Sequence, residues 1–274
     1  NDISRNSTLF PKEFIVVIDL RQKSIVVTGG ASGIGAAICA AAYKEGATVG
    51  VIDIDGDAAL NLCKQLGRRA YFALGDVESE SSMNAALEVL SSNMPFFNGC
   101  VASAGIMPTR EPMEEMPLEN FKRVLENHIN GTFVTCKLVG QRMLESGGGS
   151  IVTMSSVLAL RPGPVLGYGA GKAAIKNLTQ ALAVQWSKKN IRVNTICPGW
   201  VDTPFIRKQE AAGRDLSPIL SMTPLGRMAL PSEIANIALF LLSDLSSAMT
   251  GSVTVADCGI TLAGGYLPYG ELPT

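Results

Sequence analysis

The chain has 274 residues, of which 47% are apolar and 17% are charged. This composition excludes an intrinsically disordered chain and predicts a large buried core. Lysine and arginine number 23 and aspartate and glutamate 24, so the net charge is −1 and we expect no basic surface for nucleic acid or for an anionic membrane.

Cysteine and histidine usage limits the possible sites further. The six cysteines stand singly, without a C-x-x-C pair, and the chain has one histidine, so we expect neither a disulfide framework nor a metal site. No run of roughly 18 or more apolar residues occurs, and the first residues lack the basic-then-apolar pattern of a secretory signal. These observations predict a cytoplasmic protein that handles a small molecule.

The predicted elements alternate between strands and helices from about residue 24 onward. Strands are predicted at 25–28, 48–52, 70–74, 99–102, 150–154, 191–196 and 252–255. Helical periodicity fills the intervals, for example at 35–44, 81–90 and 121–144. Because parallel neighbours need a crossover connection, the alternation predicts an α/β fold: a doubly wound, mostly parallel, seven-stranded sheet (a Rossmann fold) with helices on both faces.

A glycine-rich turn follows the first strand, in the segment Thr28-Gly29-Gly30-Ala31-Ser32-Gly33-Ile34-Gly35. Gly29 and Gly33 let the backbone turn tightly and approach a pyrophosphate, and Gly35 lets the next helix pack closely. The free N–H groups and partial positive charge of a helix start suit phosphates. The alternative is an ordinary tight loop, because the spacing differs from the more common G-x-G-x-x-G.

Asp53 ends the second predicted strand. A carboxylate at this position accepts hydrogen bonds from an adenosine ribose and repels a 2′-phosphate, and Ile54 carries no cation to offset that repulsion. The position therefore predicts NAD rather than NADP. The alternative is an acidic loop residue, because Asp55 and Asp57 follow closely.

Tyr168 and Lys172 have the spacing that places two side chains on one helix face. An ammonium about 4 Å from a phenol lowers the pKa of the phenol towards the range of acid/base catalysis. Ser155 and Ser156 follow the fifth strand, where a hydroxyl can hold a substrate oxygen beside the tyrosine. Each feature alone has an ordinary structural explanation, and the combination points to catalysis.

Together these motifs resemble the short-chain dehydrogenase/reductase family over about residues 20–263. The resemblance implies that Ser156, Tyr168 and Lys172 are catalytic. It adds an Asp76-Val77 pair beside the adenine and a P-G-x-V-x-T segment beside the nicotinamide. The implied cofactor contacts are Gly29, Ser32, Gly33, Ile34, Gly35, Asp53, Asp76, Val77, Ala102, Gly105, Tyr168, Lys172, Pro198, Gly199, Val201 and Thr203.

The chain departs from the family pattern in two catalytic positions. The fourth catalytic residue of the family is an asparagine, and the matching position here is His128, with Asn127 directly before it. His128 either holds a water in a proton relay from Lys172 or serves packing, and Asn127 needs a distorted helix to substitute. The interval between serine and tyrosine is one residue shorter than the resemblance implies, which leaves Ser155 as a rival to Ser156.

A further departure concerns the segment after the fourth strand. The family often has N-N-A-G there, and this chain has Ala102-Ser103-Ala104-Gly105. The side-chain contribution of the first asparagine is lost, so only backbone roles carry over.

The resemblance implies an NAD-dependent oxidoreductase that interconverts a small secondary alcohol (of polyol, sugar or hydroxy-acid type) and its ketone, assembled as a homotetramer. Tyr168 would exchange the proton, Ser156 would orient the substrate oxygen, and Lys172 would hold the nicotinamide ribose and conduct the proton onward. The alternatives are a 3-oxoacyl reductase or an epimerase on the same fold, and a non-catalytic dinucleotide-sensing scaffold.

We interpret residues 1–274 as one catalytic domain with its core at about 20–263. Residues 1–18 are then an arm or an added segment, and residues 264–274 are a tail.

The irregular stretch 201–230 contains three prolines and predicts a lid or a substrate-binding element. Arg161 is the one charge for which we expect substrate contact, whereas Arg207 and Arg214 are interpreted as part of a solvated helix face. The full set of expected substrate contacts is Met107, Leu158, Arg161, Trp200 and Phe205.

Overall fold

The computed structural model describes residues 18–107 and 110–263. The predicted tail lies outside these residues, and so does the predicted arm except for Ile18. The described strands are β1 (Ser24–Thr28), β2 (Thr48–Asp53), β3 (Ala70–Leu74), β4 (Gly99–Ala102), β5 (Gly149–Met154), β6 (Ile191–Pro198) and β7 (Val253–Ala256).

The seven strands form one sheet in the order β3-β2-β1-β4-β5-β6-β7. All six pairings are parallel. The order runs outward from β1 in both directions, which is the arrangement of a doubly wound sheet. The predicted fold class is confirmed, and the predicted strand ends differ from the observed ones by at most two residues.

Helices cover both faces of this sheet. Their bounds are α1 (Gly33–Lys44), α2 (Gly56–Leu66), α3 (Glu80–Ser91), α4 (Leu118–Leu125), α5 (Gly131–Glu145), α6 (Leu166–Trp186), α7 (Pro204–Ala211), α8 (Ser217–Ser221), α9 (Pro231–Leu242) and α10 (Ile260–Ala263). Within residues 18–107 and 110–263, no helix combines the length and the apolar character needed to cross a membrane.

The core consists of two apolar layers, one on each face of the sheet. On β1, Ile25 and Val27 belong to the layer that includes α1 and α9, whereas Val26 belongs to the layer formed with α3, α5 and α6. Successive side chains of a strand point to opposite faces, so a fully apolar strand feeds both layers. The sheet is thus covered on both faces, and its carboxyl edge remains available for a site.

Two segments differ from the sequence-based expectation. The helix predicted at 121–144 runs from α4 to α5 through a π-helical turn at Glu126–Asn130. The stretch 201–230, predicted as irregular, contains α7 and α8. Pro204 and Pro218 stand at the starts of these helices, where a missing N–H costs nothing, so the prolines begin helices here and do not mark a loop.

Candidate active site

The residues singled out in the sequence meet at the carboxyl edge of the sheet, in a cleft of about 840 Å³. Ligands of open α/β sheets bind at this edge. The predicted residues that line the cleft are Gly29, Ser32, Gly33, Ile34, Gly35, Asp53, Asp76, Val77, Gly105, His128, Ser156, Tyr168, Lys172, Pro198, Gly199, Val201 and Thr203.

Ala102 is the one predicted cofactor contact that does not line the cleft. It is the last residue of β4, its backbone is paired with Thr28 and Thr153 on either side, and its side chain is buried. Ser103 and Ala104, which follow the strand, line the cleft instead. The cofactor contact of Ala102 therefore stays a prediction, and the structure adds Ser103 and Ala104 to the cleft lining.

The glycine turn has the close approaches that a phosphate cradle requires. Gly29 has φ +63°, and a Cβ added there would lie 2.6 Å from the Cα of Ala104. A Cβ on Gly35 would lie 2.1 Å from the carbonyl oxygen of Gly29. The side chain of Ser32 makes no capping hydrogen bond at the start of α1, so the first N–H groups of this helix remain available to an anion. The turn therefore fits a dinucleotide pyrophosphate.

Asp53 is held at the end of β2 by the same turn. One carboxylate oxygen accepts a hydrogen bond from the Ala31 N–H at 2.9 Å, and the other accepts from the Asp55 N–H at 3.1 Å. The neighbouring Ile54 is 70% exposed and also lines the cleft. A fixed negative charge and an apolar side chain therefore stand together at this end of the site.

Tyr168 and Lys172 both lie on α6 and both reach the cleft, as their spacing predicts. The Lys172 ammonium donates to the carbonyl oxygen of Met154 at 2.8 Å and lies over the Tyr168 ring, 5.4 Å from its centroid. Burial lowers the pKa of Lys172 to about 8.

The electrostatic expectation for Tyr168 is wrong. Burial raises the pKa of Tyr168 above its ordinary value of 10, and a hydrogen bond with Ser156 offsets part of this rise. Burial of the phenol therefore has a larger effect on the pKa of Tyr168 than the Lys172 ammonium, which donates its hydrogen bond to Met154. The phenol is protonated at neutral pH in this arrangement.

The two serines after β5 have different partners. Ser155 is buried and donates to the backbone carbonyl of Lys172 at 2.8 Å, which ties β5 to α6. The hydroxyl of Ser156 accepts a hydrogen bond from the Leu158 N–H at 3.2 Å and is the partner of the Tyr168 phenol. The structure thus brings Ser156, and not its rival Ser155, to Tyr168.

Asn127 and His128 hold the backbone of Ile106 from both sides, and we call this pair of contacts the Ile106 clamp. The amide oxygen of Asn127 accepts from the Ile106 N–H at 2.9 Å, and Nε2 of His128 lies 2.8 Å from the Ile106 carbonyl oxygen. Asn127 also donates to Glu78 at 2.8 Å. Both residues lie in the π turn, so the helix distortion that Asn127 needs is present.

The clamp fixes the tautomer of His128. A carbonyl oxygen only accepts, so Nε2 must carry the hydrogen. Burial and the nearby positive charge of Lys172 lower the pKa of His128 to about 3, so the ring is neutral and Nδ1 has a lone pair. Nδ1 is buried and has no hydrogen-bond partner within residues 18–107 and 110–263. The ring packs edge-on against Tyr168, with centroids 5.1 Å apart.

The apolar residues expected to contact the substrate line the cleft, but the expected charged residue does not. Of the expected contacts, Met107, Leu158, Trp200 and Phe205 line the cleft, whereas Arg161 is exposed and does not. Arg161 belongs to the loop after β5, and its side chain faces solvent. The structure therefore does not bring Arg161 to the cleft.

Arginines from other segments supply the positive charge. The cleft is lined by Arg110, Arg123 and Arg214, and none of these three contacts was predicted from the sequence. Arg207 does belong to a solvated ion pair with Asp202, but Arg214 is half-buried against Trp200. No sequence pattern distinguishes these two arginines, because burial against a distant tryptophan decides the difference.

Comparison with known proteins agrees with this geometry. A family model described as enoyl-(acyl carrier protein) reductase matches residues 29–261. The chain is 36% identical over 257 residues to a D-threitol dehydrogenase of Mycolicibacterium smegmatis, and this match covers 92% of the chain and 98% of the relative.

Solved structures are similar over nearly the same range. One is a short-chain type dehydrogenase/reductase from Mycobacterium marinum, with a TM-score of 0.83 and 31% identity over 89% of this chain and 97% of that chain. Another is a 3-ketoacyl-(acyl-carrier-protein) reductase from Brucella melitensis complexed with NADH, with a TM-score of 0.83 and 26% identity over 89% of this chain and 100% of that chain.

Proposed function

This chain belongs to the short-chain dehydrogenase/reductase family and is an oxidoreductase, and on that basis we propose that it interconverts a small secondary alcohol and its ketone with NAD as the cofactor. The observation that carries the proposal is that Ser156, Tyr168 and Lys172 line one cleft together with the glycine turn and Asp53. The substrate class is a polyol, a sugar or a hydroxy acid.

The residues that would hold the cofactor come from successive strand ends. The N–H groups at the start of α1 suit the pyrophosphate, and the carboxylate of Asp53 suits the ribose hydroxyls. Lys172 and Thr203 also line the cleft, and they would hold the nicotinamide end of the cofactor. When bound, this cofactor supplies the acceptor or donor of the hydride at the substrate carbon.

Tyr168 is the proton donor and acceptor in this proposal. Its buried phenol is protonated at neutral pH, so it gives its proton to the substrate oxygen when a ketone is reduced. In the oxidising direction the phenol first releases its own proton, and the phenolate then takes the hydroxyl proton. The Lys172 ammonium, 5.4 Å from the ring centroid, would offset part of the cost of this buried phenolate. Ser156, hydrogen-bonded to the same phenol, orients the substrate oxygen.

We include His128 in the path that returns this proton to solvent. A water that donates to Nδ1 of His128 can accept from the Lys172 ammonium, whose pKa of about 8 suits exchange near neutral pH. The competing interpretation is that His128 only packs against Tyr168. It would leave a buried acceptor without a partner, at a cost of about 1–3 kcal/mol.

The cofactor choice gives a direct test of this proposal. We expect kcat/KM with NAD to exceed that with NADP by at least about a hundredfold, because Asp53 would face the 2′-phosphate. The substitution Asp53→Ser should narrow this ratio, whereas Asp57→Ser, in the exposed first turn of α2, should not. Equal efficiency of NAD and NADP in the unchanged enzyme would contradict the role of Asp53.

The substrate class is tested with a panel of polyols, sugars and hydroxy acids, followed by the absorbance of NADH. A 3-oxoacyl thioester in the same panel separates the 3-oxoacyl reductase alternative, which the reductase relative complexed with NADH favours. A chain that turns over no member of the panel with either cofactor would argue for the non-catalytic scaffold.

The single histidine makes the state of His128 directly measurable. Histidine-selective ¹⁵N labelling should give one pair of ring signals, with the hydrogen on Nε2 and a hydrogen-bonded shift at Nδ1. The ring should stay neutral down to about pH 4, since burial lowers the pKa of His128 to about 3. A hydrogen on Nδ1 would contradict the assignment, and an Nδ1 shift without a hydrogen bond would favour packing alone.

The homotetramer is part of the same proposal. Large apolar side chains on two helices remain exposed in the single chain: Phe133 on α5 and Val184 on α6, the latter 80% exposed. Exposed apolar groups on neighbouring helices suit a helical contact between subunits.

A further inference from the structure

Four positively charged side chains of the described residues line the cleft, and they differ in the groups that they contact. Lys172 is held by backbone and serves Tyr168. Arg110, Arg123 and Arg214 also line the cleft, on segments that follow β4 and β6. In the described part of the chain, none of these three arginines forms an ion pair with a carboxylate. Three unpaired cations therefore face a cavity that has to accept a substrate.

Arg214 is the most firmly positioned of them. Its guanidinium lies over the ring of Trp200, 4.9 Å from the centroid, and it donates to the amide oxygen of Gln209. Both partners are neutral, so they orient the guanidinium without cancelling its charge. Burial lowers the pKa of Arg214, and the positive charge of Arg110 lowers it further, so the two cations are close enough to repel each other.

Arg207, seven residues before Arg214, is an arginine whose charge is neutralised by carboxylates. It lies on α7, forms ion pairs with Asp202 and Glu210, and does not line the cleft. Among the described residues, no carboxylate compensates the repulsion between Arg110 and Arg214 in this way. An anion placed between them would remove it and would form charge-assisted hydrogen bonds with planar, fork-shaped donors.

We propose that Arg214, together with Arg110, forms an anion subsite in the substrate part of the cleft, and that the substrate is a secondary alcohol with a carboxylate or another acidic group. This inference rests on the proposed function and narrows its substrate class. The hydroxyl lies at Ser156 and Tyr168 and the acid at Arg214. The same cleft is lined by Met107, Leu158 and Phe205, so we expect the rest of the substrate to be apolar.

The test compares acids with amides of the same shape. The probes are 3-hydroxybutyrate, 4-hydroxypentanoate and 3-hydroxycyclohexanecarboxylate, each beside its primary amide. We expect at least one acid to exceed its amide in kcat/KM by about ten- to a hundredfold, which is the usual contribution of hydrogen bonds to a charged group. Arg214→Gln should remove this advantage, and Arg207→Gln, the matched control, should keep it.

A second set of measurements determines whether Arg214 binds an acidic group of the substrate or a phosphate of the cofactor. The KM for NAD should be unchanged in Arg214→Gln. Binding of cyclohexanecarboxylate and of cyclohexanecarboxamide to the NADH-loaded enzyme is measured by isothermal titration calorimetry, so this measurement needs no turnover. If the amides are used and bound as well as the acids, or if Arg214→Gln weakens NAD and leaves the acid preference intact, the subsite is wrong.

Failure of the subsite and failure of the proposed function are distinguishable. If the enzyme oxidises neutral secondary alcohols and shows no preference for acids in turnover or binding, the proposed function stands and the anion subsite is wrong. If the enzyme oxidises no secondary alcohol with either cofactor, the proposed function is wrong. The binding measurement with cyclohexanecarboxylate and its amide then tests the anion subsite by itself.

Discussion

Replacing Tyr168 by phenylalanine is expected to lower kcat/KM for an accepted alcohol by about 10²–10⁴-fold, the usual contribution of a general acid or base. The substitution removes one hydroxyl and keeps the ring, which packs against His128 and under the Lys172 ammonium. The fold and the cofactor contacts should therefore survive. The measurement is steady-state turnover followed by NADH absorbance, with NADH binding measured separately by fluorescence.

Tyr71→Phe is the matched control for this substitution. Tyr71 is half-buried on β3 and does not line the cleft, so the same loss of a hydroxyl there should leave kcat/KM unchanged. Full turnover in Tyr168→Phe would overturn the acid/base assignment. A loss of NADH binding together with turnover would show that the substitution acts through the cofactor site, and this would also contradict the assignment.

Lys172→Met should make the protein more stable while it abolishes turnover. Lys172 is 5% exposed, and burial lowers its pKa from the ordinary 10.5 to about 8, so keeping it charged in the folded state is costly. That cost is about 3 kcal/mol at pH 7. Methionine removes this cost but leaves the Met154 carbonyl without its donor, so we expect a net gain of about 1–2 kcal/mol in the free energy of unfolding.

The pH dependence identifies the cause of this gain. Above pH 10.5 the lysine is neutral in both the folded and the unfolded state, so it carries no cost. As the pH falls from 10.5 to about 8, the unfolded chain takes up the proton first and stability declines, and below pH 8 the cost is complete. The advantage of Lys172→Met should therefore be full below pH 8 and fade between pH 8 and 10.5.

Denaturant unfolding at pH 7 and pH 10 measures this difference. Lys176→Met, one turn further along α6 and half-buried, is the matched control and should give no comparable pH-dependent gain. A Lys172→Met protein that is less stable than the unchanged protein at pH 7 would contradict the cost assigned to the buried ammonium.

Much of the fold follows from local sequence patterns. The segments 70–74 and 99–102 coincide with β3 and β4, because short apolar runs bounded by turn residues leave little freedom for their ends. The positions of the glycine turn and of Asp53 could also be predicted from the sequence. Their roles depend on backbone conformation and on a strand end, and both are properties of neighbouring residues.

The features that the sequence did not reveal depend on distant contacts. The Ile106 clamp joins residues about twenty positions apart through a π turn, and no periodicity marks such a turn. The raised pKa of Tyr168 comes from burial, which a spacing rule for two side chains does not contain. Arg214 and Arg207 look alike in the sequence, and their contacts separate them: Arg214 packs against Trp200, whereas Arg207 pairs with Asp202.

The hydrogen bond from Ser155 to the Lys172 carbonyl has a consequence for how this enzyme can change over time. It joins β5 to α6, so the groups that we propose for proton transfer lie on, or directly after, two elements that are tied together. Several of the groups proposed to recognise the substrate, among them Trp200, Phe205 and Arg214, lie instead on α7 and the segments directly before and after it. Mutations in that segment can therefore alter substrate choice while the reaction chemistry is inherited intact, which makes the chain a versatile starting point for new specificities.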